Sequence, residues 1–175
     1  MVTITISGTP GSGKSTVTKL LGEKFGLKCV YSGEIFRNLA KKYKMPLAEF
    51  GRFCEKNEKI DKELDDQQLK HLKKGDVIVE GRIAGWIAYL NNIPTVKVLL
   101  NADIATRAKR IVNREKGDVK KRKQEILQRE RSEATRYKNY YNIDLKDTSI
   151  YDIVIDTSDK TPDEIVDIIL QEIDG

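Results

Sequence analysis

The chain of 175 residues is poor in cysteine, proline, histidine and long apolar runs, and each scarcity excludes a class of protein. Two cysteines, Cys29 and Cys54, are too few for a disulfide framework, which favours a reducing, cytoplasmic location. No apolar run approaches the ~20 residues that cross a bilayer, and the first residues lack the pattern of a secretory leader. We therefore expect a cytoplasmic protein that binds no membrane.

The remaining composition is that of an ordinary globular protein. Hydrophobic residues make up 39% of the chain and charged residues 34%. That proportion supports one core of ordinary size, and the length suits one domain rather than two. We expect residues 1–175 to form a single domain and, in the absence of any sign of a partner, a monomer.

Positive charge is concentrated in one segment. The formal net charge is +5, but residues 107–138 contain 13 Lys and Arg against 5 Asp and Glu, so the rest of the chain is slightly acidic. Three interpretations compete: a solvated helix face, a nucleic-acid-binding patch, or an arginine-rich flap over a small polyanion. Charge alone favours the solvated face.

Short β-branched runs alternate with longer helical patterns, which is typical of parallel α/β proteins. A helix is predicted over Lys14–Phe25, with Gly26 as its stop. The last helix should begin at Thr161, which can form a capping box with Glu164. We predict a parallel sheet of five strands with helices on both faces, the strands being Val2–Ser7, Leu27–Tyr31, Asp76–Glu80, Thr95–Leu100 and Tyr151–Asp156.

Two stretches interrupt this alternation. Residues 34–74 are predicted to form several short charged helices, enough for a small inserted subdomain, around Phe36, Leu39, Leu47, Phe50 and Leu64. Residues 113–123 contain one apolar residue and are predicted to form an exposed turn between two basic helices. Any mobile part of the protein should therefore be an insertion within the single domain.

The residues after the first strand match the P-loop pattern, and a predicted helix follows as the motif requires. Glycines let consecutive backbone N–H groups face one anion, and the helix start adds a favourable dipole. In such a loop the lysine reaches the β- and γ-phosphates of a nucleotide and the serine hydroxyl can bind Mg²⁺. The predicted ATP-binding residues are Ser7, Gly8, Thr9, Pro10, Gly11, Ser12, Gly13, Lys14, Ser15 and Thr16.

Two further groups of polar residues follow predicted strands. Glu80 ends the third strand, where a P-loop protein often places a second carboxylate on the Mg²⁺ side, and Arg82 comes two residues later. Ser32 and Arg37 follow the second strand, and Arg37 can point towards an anion at the sheet edge. An acid at the end of a strand and a surface arginine are both common. A structural role for Glu80 and a plain surface position for Arg37 therefore stay open.

Together, the P-loop, Ser32-Gly33-Glu34-Ile35-Phe36-Arg37, Glu80-Gly81-Arg82 and the arginine-rich helices make the chain resemble the nucleoside monophosphate kinases. More narrowly, it resembles the archaeal cytidylate kinases, from residue 2 to about residue 172. The resemblance implies a core at 1–31, 75–112 and 124–175, a monophosphate-binding insertion at about 32–74 and a short lid at about 113–123. It also implies ATP and Mg²⁺ as cofactors, and CMP and dCMP as acceptors.

The resemblance also implies roles for individual residues. Arg37 and Arg82 correspond to arginines that hold the acceptor phosphate, and Glu133 and Arg136 to residues that hold the acceptor nucleoside. Arg110, Arg114 and Arg129 correspond to lid-side arginines near the donor phosphates and the transferring group, and with Lys14 of the P-loop they are the predicted catalytic residues. Ser32 is a further candidate acceptor contact, and Ser15 and Glu80 remain the candidate metal ligands. This pattern of arginines shifts the interpretation of the basic segment towards a flap over phosphates.

One departure leaves the choice of base open. Ile83 stands where the bacterial enzymes have an aspartate that helps to read the base. Ser32 and Asp61 are possible substitutes, although Asp61 in a charged helical stretch is better interpreted as a surface acid. His71 receives no catalytic role.

Two alternative functions compete with a cytidylate kinase. One is a kinase for UMP or AMP. The other is an RNA-binding P-loop protein, in which Tyr137, Tyr140 and Tyr141 would stack on bases, although their spacing suits helix packing equally well. We expect small nucleotides, and no nucleic acid, as partners.

Overall fold

A computed structural model describes residues 2–175 and contains the predicted five-stranded parallel sheet, with strand order β2-β3-β1-β4-β5. Each strand begins and ends within two residues of its predicted bounds, because short β-branched runs between helical patterns are easy to recognise. The strands are β1 (Ile4–Gly8), β2 (Lys28–Tyr31), β3 (Val77–Glu80), β4 (Val96–Asn101) and β5 (Ile153–Asp156).

Eight helices connect and flank the strands within residues 2–175. None of them is both long enough and apolar enough to span a membrane. They are α1 (Lys14–Phe25), α2 (Ser32–Lys42), α3 (Leu47–Lys56), α4 (Glu58–Lys74), α5 (Ala84–Leu90), α6 (Ile104–Glu115), α7 (Val119–Tyr141) and α8 (Pro162–Asp174).

The two faces of the sheet bury separate apolar clusters. Ile4, Ile6 and Ile78 pack on one face against α1 and α8. Val77 and Val79, one residue out of phase with Ile78, pack on the other face with α2 to α5. Parallel pairing of β3 with both β1 and β2 places the carboxyl ends of the three strands side by side, where the predicted polar residues lie.

The predicted helix ends of α1 and α8 are confirmed. Gly26 follows α1 with φ 63°, in the left-handed region that favours glycine. Glu164 donates its backbone N–H to the Thr161 hydroxyl at 3.3 Å, and its carboxylate accepts from the Thr161 N–H at 2.7 Å, so the capping box is complete.

The two interruptions are helical, with differences in detail. Between β2 and β3, α2 to α4 bury Leu39 and Phe50 as predicted, but Leu47 is 49% exposed because it opens α3 at the rim of a cavity. Between α6 and α7 only residues 116–118 lie outside a helix, so the exposed turn is shorter than residues 113–123.

Two of the three tyrosines near the end of α7 serve packing. Tyr137 and Tyr141 pack against the cluster that α2 to α5 cover, and the Tyr141 hydroxyl donates to the Asp65 carboxylate of α4 at 2.8 Å. Burial raises the pKa of Asp65 to about 7, with the Tyr141 hydrogen bond acting in the opposite direction. These contacts favour the packing interpretation over base stacking.

Replacing Asp65 with asparagine should therefore change how stability depends on pH. A carboxyl whose folded-state pKa is raised gives stability that is complete below about pH 4 and is lost as the pH rises through about 7. Asparagine carries no charge and its amide oxygen can still accept from Tyr141. We expect Asp65→Asn to be more stable than the wild type by roughly 1–3 kcal/mol near pH 8, and the difference to shrink towards pH 5.

Urea unfolding of both proteins at several pH values measures this difference. A control, Asp66→Asn, removes an exposed acid from the next position of the same helix; its charge makes only a minor contribution to the raised pKa of Asp65, so the pH profile should shift only slightly. A pH-independent difference between Asp65→Asn and the wild type would contradict the assignment.

Candidate active site

The P-loop joins β1 to α1 in a conformation that only glycine accommodates well. Gly11 and Gly13 have φ of 79° and 95°, and a Cβ on Gly11 would lie 2.8 Å from the Arg107 carbonyl oxygen. The N-cap residue of α1 is Gly13, so no side chain caps the first backbone N–H groups of the helix. Its backbone N–H groups and the helix start form a cradle suited to an anion.

Lys14 supplies the cation of this cradle. Its Nζ donates to the Thr9 carbonyl oxygen at 2.9 Å, across the loop. Withdrawal of the ammonium group from solvent, together with the charges of Arg82 and Arg129, lowers the pKa of Lys14 to about 8, while the charge of Glu80 opposes this shift. A bound phosphate would favour the charged form, so the lysine is prepared for an anionic ligand.

Two residues from outside the motif hold the loop in place. Thr157, directly after β5, donates its hydroxyl to the Ser12 carbonyl oxygen at 2.8 Å. Arg110 of α6 donates to the Thr157 hydroxyl at 2.9 Å and to the Gly11 carbonyl oxygen at 3.3 Å. Sequence analysis missed Thr157; its position at the carboxyl end of a strand was the available signal.

Ser15 and Glu80 provide neighbouring oxygen atoms beside Lys14. The Ser15 hydroxyl lies 3.4 Å from Glu80 Oε2, and Glu80 is 5% exposed. Burial raises the pKa of Glu80, and the charge of Lys14 opposes that rise. A hydroxyl beside one carboxylate fits Mg²⁺, which takes oxygen ligands and usually combines one or two carboxylates with substrate phosphates.

A cavity of about 770 Å³ opens over the P-loop. Arg110 and Arg114 reach it from α6, and Arg114 is exposed and paired with Glu115 at 3.0 Å. Sequence analysis missed three lining residues that follow β5, namely Lys160, Pro162 and Ile165. The predicted residues that line it are Pro10, Gly11, Gly13, Lys14, Ser15, Thr16, Ser32, Arg37, Glu80, Arg110, Arg114 and Arg129.

Four predicted ATP-binding residues do not line this cavity: Ser7, Gly8, Thr9 and Ser12. The Ser7 hydroxyl is buried and accepts from the Gly85 backbone N–H at 2.9 Å. This bond joins β1 to α5, and a contact of Ser7 with ATP stays a prediction.

A second cavity of about 670 Å³ lies between the insertion and α7. The predicted acceptor residues Ser32, Arg37, Arg82, Glu133 and Arg136 all line it. Four residues line both cavities: Ser32, Gly33, Arg37 and Arg129. The two cavities thus meet at a rim that carries two arginines.

Glu133 orients two of the arginines near this rim. Its side chain is 4% exposed, and its two oxygens accept from Arg82 Nε at 3.1 Å and from Arg129 Nε at 2.9 Å. The Arg129 pair joins residues four apart on α7, whereas Arg82 comes from the end of β3. One buried carboxylate therefore holds guanidinium groups from two elements.

Asp61 is not the surface acid that the sequence suggested. It is 6% exposed, lines the second cavity and accepts from Arg136 Nη1 at 2.7 Å. Burial raises the pKa of Asp61, and the Arg136 charge opposes that rise. The burial of Asp61 could not be predicted from the local sequence, because its partner Arg136 lies on α7, 75 residues away.

Comparison with known proteins identifies the family. A family model described as the cytidylate kinase-like family matches residues 3–159. The chain belongs to this family.

Curated relatives within the cytidylate kinase-like family span almost the whole chain. The cytidylate kinase of Methanococcus vannielii is 47% identical over 156 residues, which are 89% of this chain and 90% of that protein. The cytidylate kinase of Methanocaldococcus jannaschii is 42% identical over 173 residues, or 98% and 97% of the two chains. The resemblance inferred from the motifs is confirmed.

Solved structures confirm the fold independently. An uncharacterized protein from Eubacterium ventriosum matches 100% of this chain and 99% of its own, with a TM-score of 0.74 and 22% identity. A shikimate kinase from Bacteroides thetaiotaomicron matches 98% and 97%, with a TM-score of 0.62 and 19% identity. At these identities the likeness supports the P-loop kinase architecture alone.

Proposed function

We propose that this protein transfers the γ-phosphoryl group of ATP to CMP, and also to dCMP, giving ADP and the corresponding diphosphate. The observation that carries the proposal is the shared rim of the two cavities. A P-loop at the floor of one cavity, and arginines around the other, suit two phosphate-bearing ligands that meet end to end. The cytidylate kinases among its relatives supply the choice of acceptor.

Each cavity has its own set of cations in this proposal. Lys14, Arg110 and Arg114 contact the phosphates of ATP in the first cavity. Arg37 and Arg82 hold the acceptor phosphate in the second. Arg129 lines both cavities and is placed to contact the transferring group.

The chemical step needs little help from an acid or a base. The phosphate of CMP has a second pKa near ~6, so near neutral pH an anionic oxygen is available as the nucleophile. That oxygen attacks the γ-phosphorus, and the bond from the γ-phosphorus to the bridging oxygen of ADP breaks. Catalysis then rests on in-line positioning and on cations that neutralise charge on the transferring oxygens.

Mg²⁺ would be held by Ser15 and Glu80 together with phosphate oxygens, and it would neutralise charge on the β- and γ-phosphates. Burial of Glu80 keeps its carboxylate beside the P-loop. Burial raises the pKa of that carboxyl, and the charges of Lys14 and of a bound Mg²⁺ would both favour its ionised form.

The proposed enzyme has two moving parts. One is the group of helices α2 to α4, and the other is the segment 113–123, which contains the turn at residues 116–118. Helices α2 to α4 line the second cavity, Arg114 and Glu115 line the first, and residues 113–118 are exposed. Their closure over two bound nucleotides would exclude water, which would otherwise accept the phosphoryl group.

A coupled ADP-release assay with MgATP and CMP, dCMP, UMP, AMP, GMP or dTMP tests the proposal. We expect the highest kcat/KM with a cytidine monophosphate. A higher value with any other acceptor would reject the acceptor assignment, and ADP release that needs no acceptor would reject phosphoryl transfer to a monophosphate.

A further inference from the structure

The structure contains an ion pair whose position suits a base rather than a phosphate. Asp61 and Arg136 line the second cavity, and neither lines the first cavity or the shared rim. If the acceptor phosphate lies at the rim, as the proposed function requires, the base must lie further into the second cavity. Asp61 and Arg136 are charged groups in that inner part of the second cavity, where they can form hydrogen bonds with the base.

The pair has a fixed geometry and unused hydrogen-bonding capacity. Asp61 Oδ2 and Arg136 Nη1 are 2.7 Å apart, and their side chains are 7% and 21% exposed. A guanidinium has five N–H donors, and Arg136 Nε has no acceptor in the protein. A carboxylate can only accept and a guanidinium can only donate, so the pair presents an acceptor beside a donor that cannot exchange roles.

We propose that this ion pair selects cytosine over uracil, with Asp61 accepting from the 4-amino group and Arg136 donating to ring nitrogen N3. Cytosine places a donor at position 4 and an acceptor at position 3, which complements the pair. Uracil has an acceptor oxygen at position 4 and an N–H donor at position 3. The Asp61 carboxylate would then face another acceptor, and the Arg136 guanidinium another donor. The inference rests on the proposed function, because it assumes a pyrimidine monophosphate in the second cavity.

The neighbouring Gln68 illustrates why an ion pair is the better selector. Gln68 lines the same cavity, is 4% exposed and has an Oε1 without a partner. A carboxamide can turn over and thereby complement either base, whereas the charges of Asp61 and Arg136 are fixed. Adenine presents the same order of donor and acceptor as cytosine, so the pair separates cytosine from uracil and thymine but not from adenine.

The test compares kcat/KM for CMP and UMP in the wild type and in Asp61→Asn. The asparagine retains the size of the side chain but can present a donor to either base. We expect the CMP-to-UMP ratio to fall by roughly 10- to 100-fold, the range for losing a hydrogen bond to a charged group. Asp66→Asn, which removes an exposed acid from the same helix, should keep the ratio within about twofold.

A substrate-side change makes the test specific to the proposed contact. The 2-pyrimidinone ribonucleoside monophosphate lacks the 4-amino group of CMP. If Asp61 contacts that group, the wild type should prefer CMP to the analogue by roughly 10-fold or more, and Asp61→Ala, which has no acceptor at that position, should lose most of this preference. If the Asp61 variant keeps the wild-type preference for CMP over the analogue, so that the two losses in kcat/KM multiply, the contact is overturned.

The wild type alone can also refute the inference if Asp61→Asn does not fold. Equal kcat/KM for CMP and the 2-pyrimidinone analogue would mean that no group reads the 4-amino position. An enzyme that prefers CMP, and whose Asp61→Asn variant has the wild-type CMP-to-UMP ratio, would reject the inference and leave the proposed function standing. Failure of the wild type to phosphorylate any pyrimidine monophosphate would reject the proposed function itself.

Discussion

Replacing Arg129 with alanine should lower kcat by about 10³-fold or more, the range for an arginine that stabilises a transferring phosphoryl group. Arg129 lines both cavities, and Glu133 holds its guanidinium at the rim where they meet. ATP affinity should change by no more than about threefold, because the P-loop, Arg110 and Lys14 remain. Steady-state kinetics with CMP, and calorimetric titration with a non-hydrolysable ATP analogue, measure the two quantities.

Arg131→Ala is the matched control for this variant. Arg131 lies two residues further along α7, is exposed, and contacts the Leu127 carbonyl oxygen of its own helix. Its replacement should leave kcat within about twofold, as for an ordinary surface substitution. Near-normal turnover in Arg129→Ala, or an equal loss in Arg131→Ala, would remove the role assigned to Arg129.

Replacing Lys14 with methionine should lower kcat by at least roughly 10²- to 10³-fold, the range for removing one preorganised group that stabilises a transition state. Methionine retains most of the length of the side chain but leaves the phosphates without their central cation. ATP binding should weaken as well, because the same ammonium group contacts the ground-state phosphates. The loss should therefore divide between kcat and the affinity for ATP.

Lys19→Met provides the comparison, since Lys19 is an exposed residue of the same helix. It should leave both quantities close to the wild-type values, and circular dichroism should show all three proteins folded. A Lys14→Met protein that binds ATP normally and retains turnover would show that the P-loop does not hold the donor phosphates.

Local sequence patterns were sufficient for the architecture and for the phosphate cradle. The strands are short runs rich in β-branched and other apolar residues, the P-loop is a contiguous motif, and the capping box of α8 lies within four residues, so each could be predicted without knowledge of distant contacts. Spacing along α7 also made the Arg129–Glu133 contact predictable, because residues four apart share a helix face.

Contacts between distant segments were not predictable in this way. Asp61 lies among charged residues of α4, and only its pairing with Arg136 of α7 explains its burial. Thr157 supports the P-loop because β5 ends beside it, and Arg82 reaches Glu133 from the end of β3. Burial of a charged residue depends on a partner supplied by the tertiary fold, and a single helical segment carries no record of that partner.

The most direct test of phosphoryl transfer to CMP uses ATP labelled with heavy oxygen in its γ-phosphoryl group. The wild-type protein, Mg²⁺ and a limiting amount of this ATP are mixed with equal concentrations of CMP, dCMP, UMP, AMP, GMP and dTMP, and the products are identified by chromatography and mass spectrometry. The account predicts that the label appears first in CDP and dCDP. Label that appears first in another diphosphate, or only in inorganic phosphate, would contradict it.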